Sequence, residues 1–273
     1  MRRGLTPINL TALTLGFAFL YVPIFLLIIY SFNESKLVTV WAGFSTKWYG
    51  EMARDDALIA AALMTLKVAL LSSTVATVLG TLAGVLLARF GRFRGRTLFS
   101  GMIYAPLVMP EVITGLALLL MFVAMGLARG YFTVMIAHAT FAMAYVAVVV
   151  QSRLATMDRS VEEAALDLGC PPFKTFLVIT LPIIAPAVIA GWLLAFTLSL
   201  DDLVIASFTT GPGSTTLPMK IYSQVRLGVT PEINAISTIL VGIVTIGVVA
   251  ASLVNRRAAL RRERDERLAF AKT

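Results

Sequence analysis

Apolar residues run along this chain in blocks that are too long and too unbroken to be the strands or core helices of an ordinary soluble domain. A helix that spans a bilayer needs about 20 predominantly apolar residues, because only a helix satisfies its own backbone groups in lipid. Six blocks meet that requirement, at 10–30, 58–88, 98–125, 131–151, 183–208 and 233–255. The pattern predicts an all-α membrane protein with six transmembrane helices in one domain over 1–273. The third block holds Pro106, Pro110 and Glu111. The fifth contains Pro186 and carries Asp201 and Asp202 near its end. Lys67, near the outer end of the second block, is expected to snorkel toward the membrane surface.

Composition agrees with this reading. The chain is 58% hydrophobic and 14% charged, whereas soluble domains carry about 25% charge. The net charge of +8 sits in short hydrophilic breaks and in the tail 256–273. No soluble basic face results, so nucleic acid is not expected as a partner. The charge-free run from Leu10 to Phe32 spans 23 residues. A secretory signal has an apolar core of about 7–15, so this run is expected to remain as a span. With the N-terminus inside, cytoplasmic segments hold 16 Lys and Arg against 6 outside, which predicts both termini in the cytoplasm. The tail is expected to anchor this topology.

Two outer segments exceed simple turns. Residues 33–56 carry Trp41, Phe44, Trp48 and Tyr49, a density that suits a helix in the outer membrane interface. Residues 209–232 contain Gly211-Pro212-Gly213 and Leu217-Pro218 and are expected to be irregular. Cys170 and His138 are the sole cysteine and histidine. Neither a disulfide nor a cysteine zinc cluster can form within the chain. His138 reads as a packing or hydrogen-bonding residue.

The connection 153–182 has the most specific pattern. Ser160 and Glu163 fit a capping box that starts a helix. Val161, Ala164, Ala165 and Leu168 then share one face. Gly169 supplies a left-handed stop, and Pro171-Pro172 prevent continuation. A second helix is expected from Phe173 to the membrane entry at Leu181-Pro182. A cytoplasmic helix, turn and helix of this shape would suit a groove on a soluble partner.

These residues also carry a resemblance. Glu163-Ala164-Ala165, then Gly169, then Ile179, Leu181 and Pro182 at their spacing, resemble the EAA loop of bacterial ABC importer permeases. Phe32-Asn33, Trp41 to Ser45, Trp48-Tyr49, Pro106 to Glu111, Ser199 to Asp202 and Thr216 to Pro218 resemble polyamine importer permeases. The likeness is strongest to the second permease of putrescine import systems. It implies the type I permease fold in the bacterial inner membrane, moving putrescine or spermidine inward by alternating access. It also implies a second, different permease, two ATPase subunits that bind ATP and Mg, and a periplasmic polyamine-binding protein. In that family the loop containing Ser160, Glu163, Ala164, Ala165, Gly169, Ile179, Leu181 and Pro182 forms the coupling helix against the ATPase.

The acids within the apolar blocks bear on the substrate. A central Asp costs about 2.5–3.5 kcal/mol to insert, so such groups face protein or water. Asp201, Asp202 and Glu111 are therefore candidates for a path taken by an organic dication. Gly191, Ala195, Ser199 and Asp202 form a small or polar stripe, which favours Asp202 over Asp201 for that path. The alternative is a cap or an interfacial pair at the helix end. Glu111 reads equally as a pathway group or as a partner for backbone freed by the prolines. A different organic cation fits the same fold. A membrane-embedded enzyme is disfavoured, because no catalytic motif is present. The sequence contains no G-x-x-x-x-G-K-[ST] phosphate loop. No cofactor is therefore expected on this chain, and energy must come from a partner unless the protein is a passive channel.

Overall fold

The computed structural model describes residues 6–37, 40–228, 231–246 and 249. Its first seven helices are α1 (Pro7–Tyr30), α2 (Lys47–Met52), α3 (Asp56–Arg89), α4 (Arg96–Val108), α5 (Glu111–Ala124), α6 (Tyr131–Thr156) and α7 (Ser160–Asp167). There follow α8 (Pro172–Thr175), a π-helical turn (Phe176–Thr180), α9 (Leu181–Asp201), α10 (Val204–Thr209), α11 (Leu217–Leu227) and α12 (Pro231–Ile246). Four stretches are long and apolar enough to cross a membrane: α1, α3, α6 and the continuous Pro172–Asp201. The bent pair α4–α5 supplies a fifth if it crosses as one. The sixth expected span, 233–255, is described as a shorter apolar helix through Ile246. Most of its remainder and the tail 256–273 lie outside the described residues.

The chain divides into two compact units, one from Ala57 to Tyr222 and one from the two ends. The larger unit is built around α6. Val146, Val150 and Leu154 of α6 are fully buried and pack with Ala76 of α3 and Ile184 and Ala195 of α9. Small residues bring the helices together. A Cβ on Gly80 would lie 2.7 Å from the Met143 carbonyl oxygen, and one on Gly84 would lie 2.9 Å from that of Ala147. Without a hydrophobic drive between helices in lipid, such backbone approach is the main source of van der Waals contact. Ala83 and Ile103 attach α4 to the same helix. Leu118 and Phe122 of α5 pack on Ile205 of α10 and Phe141 of α6.

Both proline-bearing blocks depart from a single helix. The expected third span is two helices that meet at 119°. Pro110 has no N–H and crowds the residue before it, so Met109 turns extended at φ −78° and ψ 137°, which ends α4. Pro106, by contrast, is held inside α4. The expected fifth span stops at Asp201, because Asp202 is extended (φ −64°, ψ 123°) and α10 starts afresh. At the other end of α9, the Leu181 N–H donates to the Phe176 carbonyl across a widened π turn. In a regular helix the Pro182 ring would crowd the carbonyl four residues back, and the extra width relieves that clash.

In the smaller unit, Asn33 organises the outer segment. Its side chain donates to the Val40 carbonyl (2.7 Å) and accepts from the Ala42 N–H (2.9 Å), while its carbonyl accepts from Trp48 Nε1 (2.7 Å). Phe32 stacks on Phe44. Trp48 is thus 3% exposed and forms the core of the loop, while Trp41 and Phe44 keep outward faces. Within the expected irregular stretch, a Gly211–Ser214 turn and a short approach to α11 are irregular, whereas Leu217–Leu227 is helical. The Leu217 N–H donates to Thr65 Oγ1 at 2.7 Å, which ties the start of α11 to α3.

Candidate functional site

Two helix breaks place acids together inside the larger unit. Glu111 is the first residue of α5, just past the Met109-Pro110 break. Asp201 ends α9, and Asp202 occupies the break before α10. Glu111 lies near enough to both aspartates to interact with them electrostatically. Glu111 and the aspartates, some ninety positions apart in sequence, thus lie within electrostatic reach of one another. Breaks expose backbone donors that a membrane cannot solvate, and anions at fresh helix N-termini are a natural answer to them.

The two adjacent aspartates do different work. Asp202 is drawn into the protein, its side chain only 8% exposed. Its carboxylate accepts the Ile205 N–H (3.3 Å) and the Ala206 N–H (2.7 Å), so it caps α10. Its Oδ2 also lies 3.1 Å from His138 Nε2. His138 Nδ1 is 2.7 Å from Ser199 Oγ, and Ser72 Oγ donates to Ser199 Oγ at 3.0 Å. Ser72 donates to Ser199 and Ser199 can in turn donate to Nδ1, while Nε2 and Asp202 Oδ2 make a close contact that lacks hydrogen-bond geometry. The crevice around these groups is otherwise apolar, lined by Phe141, Ala142, Leu198 and Ile205. Asp201 and Glu111, in contrast, are exposed. The sequence stripe favoured Asp202 for the pathway. In the structure Asp202 makes the cap that was its alternative reading, while Asp201 and Glu111 expose their carboxylates. The stripe reports close packing: Gly191 abuts Val146, and Ser199 joins the His138 network.

The loop 153–182 has the expected helix and turn, with a different start. Ser160 is the first residue of α7, Arg159 holds the cap position, and no side-chain bond from either closes the helix. Asp158 does this work, its Oδ1 accepting the Ser160 N–H at 3.0 Å. That bond holds the Asp158 carboxyl below the usual aspartate range. Glu163 does not reach back and is exposed. At the other end Gly169 has φ +81°. The Cys170 N–H reaches the Ala165 carbonyl (3.0 Å) and the Gly169 N–H reaches that of Leu166 (2.9 Å), a Schellman ending that requires a left-handed residue. The shared apolar face of Val161, Ala164, Ala165 and Leu168 is only partly covered: Ala165 is buried, whereas Val161 is 45% and Leu168 is 89% exposed. Phe173, on α8, is 74% exposed beside them. Ile179, Leu181 and Pro182 lie at the π turn and the entry to α9.

Sequence reasoning gave His138 a hydrogen-bonding role without partners, and it passed over Ser72, Glu162 and Arg89. A lone histidine in an apolar block signalled a buried partner, but nothing local indicated that the partner would be an acid 64 residues on.

Residues 80–263 match the family described as "Binding-protein-dependent transport system inner membrane component". The chain is 59% identical to the putrescine transport system permease protein PotI of Escherichia coli (strain K12), over 95% of each chain. It is 43% identical to the spermidine/putrescine transport system permease protein PotC of the same strain, over 89% of this chain and 92% of that one. Among solved structures it is similar to a chain of a bacterial ABC transporter involved in the import of the acidic polysaccharide alginate. That match has a TM-score of 0.71 at 17% identity, covering 90% of this chain and 94% of the other.

Proposed function

This chain belongs to the family of binding-protein-dependent transport system inner membrane components, and on that premise we propose that it carries polyamines, putrescine first, from periplasm to cytoplasm. It is a multi-pass inner-membrane transport subunit with the ABC importer permease fold, and not an enzyme. The observation that carries the substrate reading is the 59% identity to a putrescine permease over nearly the full length of both chains. The acids at the helix breaks support it. At about 4 Å and an effective dielectric of 20, opposite charges attract by roughly 4 kcal/mol, enough to offset part of an ammonium group's lost hydration. Asp201 and Glu111 would each meet one end of a diamine, while Asp202 holds the break in shape.

Energy would come from two ATPase subunits that bind ATP and Mg, with a second, different permease and a periplasmic polyamine-binding protein completing the assembly. The helix α7 would dock on the ATPase through the exposed surface of Val161, Glu163, Ala164, Leu168 and Phe173. Gly169 would fix the turn behind it, and Ile179, Leu181 and Pro182 would lead into the membrane. Both termini would face the cytoplasm, the orientation that the 16 to 6 distribution of basic residues favours. The test is uptake by proteoliposomes holding the assembled complex, with binding protein outside and ATP inside. Labelled putrescine should accumulate only with ATP. Accumulation of a basic amino acid in its place would favour the same fold serving a different organic cation.

A further inference from the structure

The two glutamates at the head of α7 meet different surroundings, Glu162 partly buried and Glu163 exposed. In this helix only Glu162 and Ala165 are not exposed. Glu162 Oε2 lies 2.8 Å from Arg89 Nε at the end of α3, with both side chains 14% exposed. Its other oxygen, Oε1, accepts from Thr180 Oγ1 at 2.6 Å, in the π turn that leads into α9. Arg89 Nη1 in turn donates to the Leu154 carbonyl near the end of α6, at 3.1 Å. Arg159, just before α7, donates from Nη2 to the Ala88 carbonyl at 2.8 Å. One carboxylate thus sits at a node that joins α7 to the cytoplasmic ends of α3, α6 and α9.

An eight-residue helix has little stability of its own, so its orientation is set by the contacts it makes. The apolar contacts here are thin, with only Ala165 buried. Two hydrogen bonds here are charge-assisted, Thr180 to the Glu162 carboxylate and the Arg89 guanidinium to the Leu154 carbonyl, and such bonds are stronger and more directional than neutral ones, while Arg89 and Glu162 add ion-pair attraction without a hydrogen bond at Nε. The node therefore supplies the stiffness that packing does not.

We propose that Glu162, held by Arg89 and Thr180, is the positioning residue that makes α7 move as one body with α3, α6 and α9. A displacement imposed on the outer face of α7 then reaches the helices that carry Asp201 and His138. The proposal rests on reading α7 as the ATPase-docking helix. In that arrangement Glu163 and Leu168 meet the partner, and Glu162 transmits the push.

The test is the number of putrescine molecules imported per ATP hydrolysed by the full complex in proteoliposomes. That ratio does not depend on how much complex folds, which a purely structural role would change. Glu162→Gln keeps the shape and an acceptor for Thr180 but removes the charge that pairs with Arg89. The ratio should fall by roughly tenfold, the size expected for residues coupled in one ion-pair network. Thr180→Val, which removes one hydroxyl at nearly constant shape, should lower the ratio in the same direction and by less. An unchanged ratio in Glu162→Gln overturns the proposal, as does loss of the ATPase from that complex on purification. The docking reading is tested separately by Leu168→Glu and Phe173→Glu. If those variants retain the ATPase and normal uptake, docking on this face is wrong whatever Glu162 does.

Discussion

His138 Nε2 stands 3.1 Å from Asp202 Oδ2, so the middle of one buried helix holds the acid that caps the restart of another. The same carboxylate takes two backbone N–H groups of α10, and the imidazole is fixed from behind by Ser199. Removing either partner leaves polar groups unmatched in an apolar crevice. Substituting a capping Asp by Ala costs about 1 kcal/mol for the cap alone, before the imidazole is left unpaired. Asp202→Ala should therefore lower the yield of assembled complex, and Asp202→Asn, which can still cap, should lower it less. Size-exclusion chromatography of the detergent-solubilised complex measures both. Equal yields for wild type and Asp202→Ala would show that the cap is dispensable.

Asp201 should behave in the opposite way. It is exposed at the end of α9. Asp201→Asn removes charge with little change of shape. The complex should assemble fully and hydrolyse ATP in response to the binding protein, while putrescine uptake falls at least about tenfold, since about 1.4 kcal/mol per tenfold is well within the roughly 4 kcal/mol attraction lost. Glu111→Gln should lower uptake as well, and the double substitution most of all. Wild-type uptake by the double variant would leave both carboxylates without a role in the pathway.

Gly169 offers a test of the turn behind α7. At φ +81° a side chain is strained, yet a Cβ there would meet nothing within 4 Å. The penalty for Gly169→Val is thus in the backbone alone, about 1–2 kcal/mol. Gly169→Asn, which tolerates the left-handed region, should be milder. ATPase co-purification and ATP-driven uptake should fall in the order Gly, Asn, Val. Indifference to Val would mean that this turn does not set the docking geometry.

At Gly80 the constraint is steric. Its Cβ would lie 2.7 Å from the Met143 carbonyl and the Val146 Cβ, so α3 and α6 must separate to admit Ala. Overpacking of this kind costs about 1–3 kcal/mol. Gly80→Ala should lower the thermal unfolding midpoint of the purified protein. Gly16→Ala, where a Cβ meets nothing within 4 Å, should not change it.

Acid should loosen the start of α7. The folded Asp158 carboxyl is held below its ordinary value by the Ser160 N–H. A depressed acid contributes stability above its unfolded pKa and loses it as pH falls through the folded value. Amide exchange at Ser160 to Glu163, corrected for intrinsic rates, should therefore accelerate below the ordinary aspartate range. Asp158→Asn should flatten that pH dependence.

The membrane topology is tested by single cysteines in a Cys170→Ser background. Positions 43 and 213 should react with an impermeant thiol reagent applied from the periplasm, and position 95 should not. Reaction at 95 from outside would invert the proposed orientation.

Hydropathy marked where the long helices α1, α3, α6 and α9 lie, because an apolar run of that length is satisfied in lipid only as helix. The break at Met109-Pro110 was also present in the local rules, since a residue before proline is pushed extended. The 98–125 block conceals it because hydropathy is blind to backbone direction. Adjacent acids show a different limit. Asp201 and Asp202, like Glu162 and Glu163, point about 100° apart on a helix. Which member of each pair turns inward depends on His138, Arg89 and Thr180, contributed from far along the chain. The predicted Ser160–Glu163 cap failed on a nearer competitor, Asp158, whose carboxylate reaches the Ser160 N–H first.

The widened turn at Phe176–Thr180 also fixes an angular phase. Each residue of an α-helix advances the chain by about 100° and 1.5 Å, so deleting Val178 would wind the turn into regular register. All of α9 beyond it would then rotate by about that angle relative to α7. Ser199 would swing away from His138, and Asp201 would be carried round from the side that Glu111 shares. The bearing of Asp201 is in this sense dialled at the start of α9, about twenty residues before it appears in the chain.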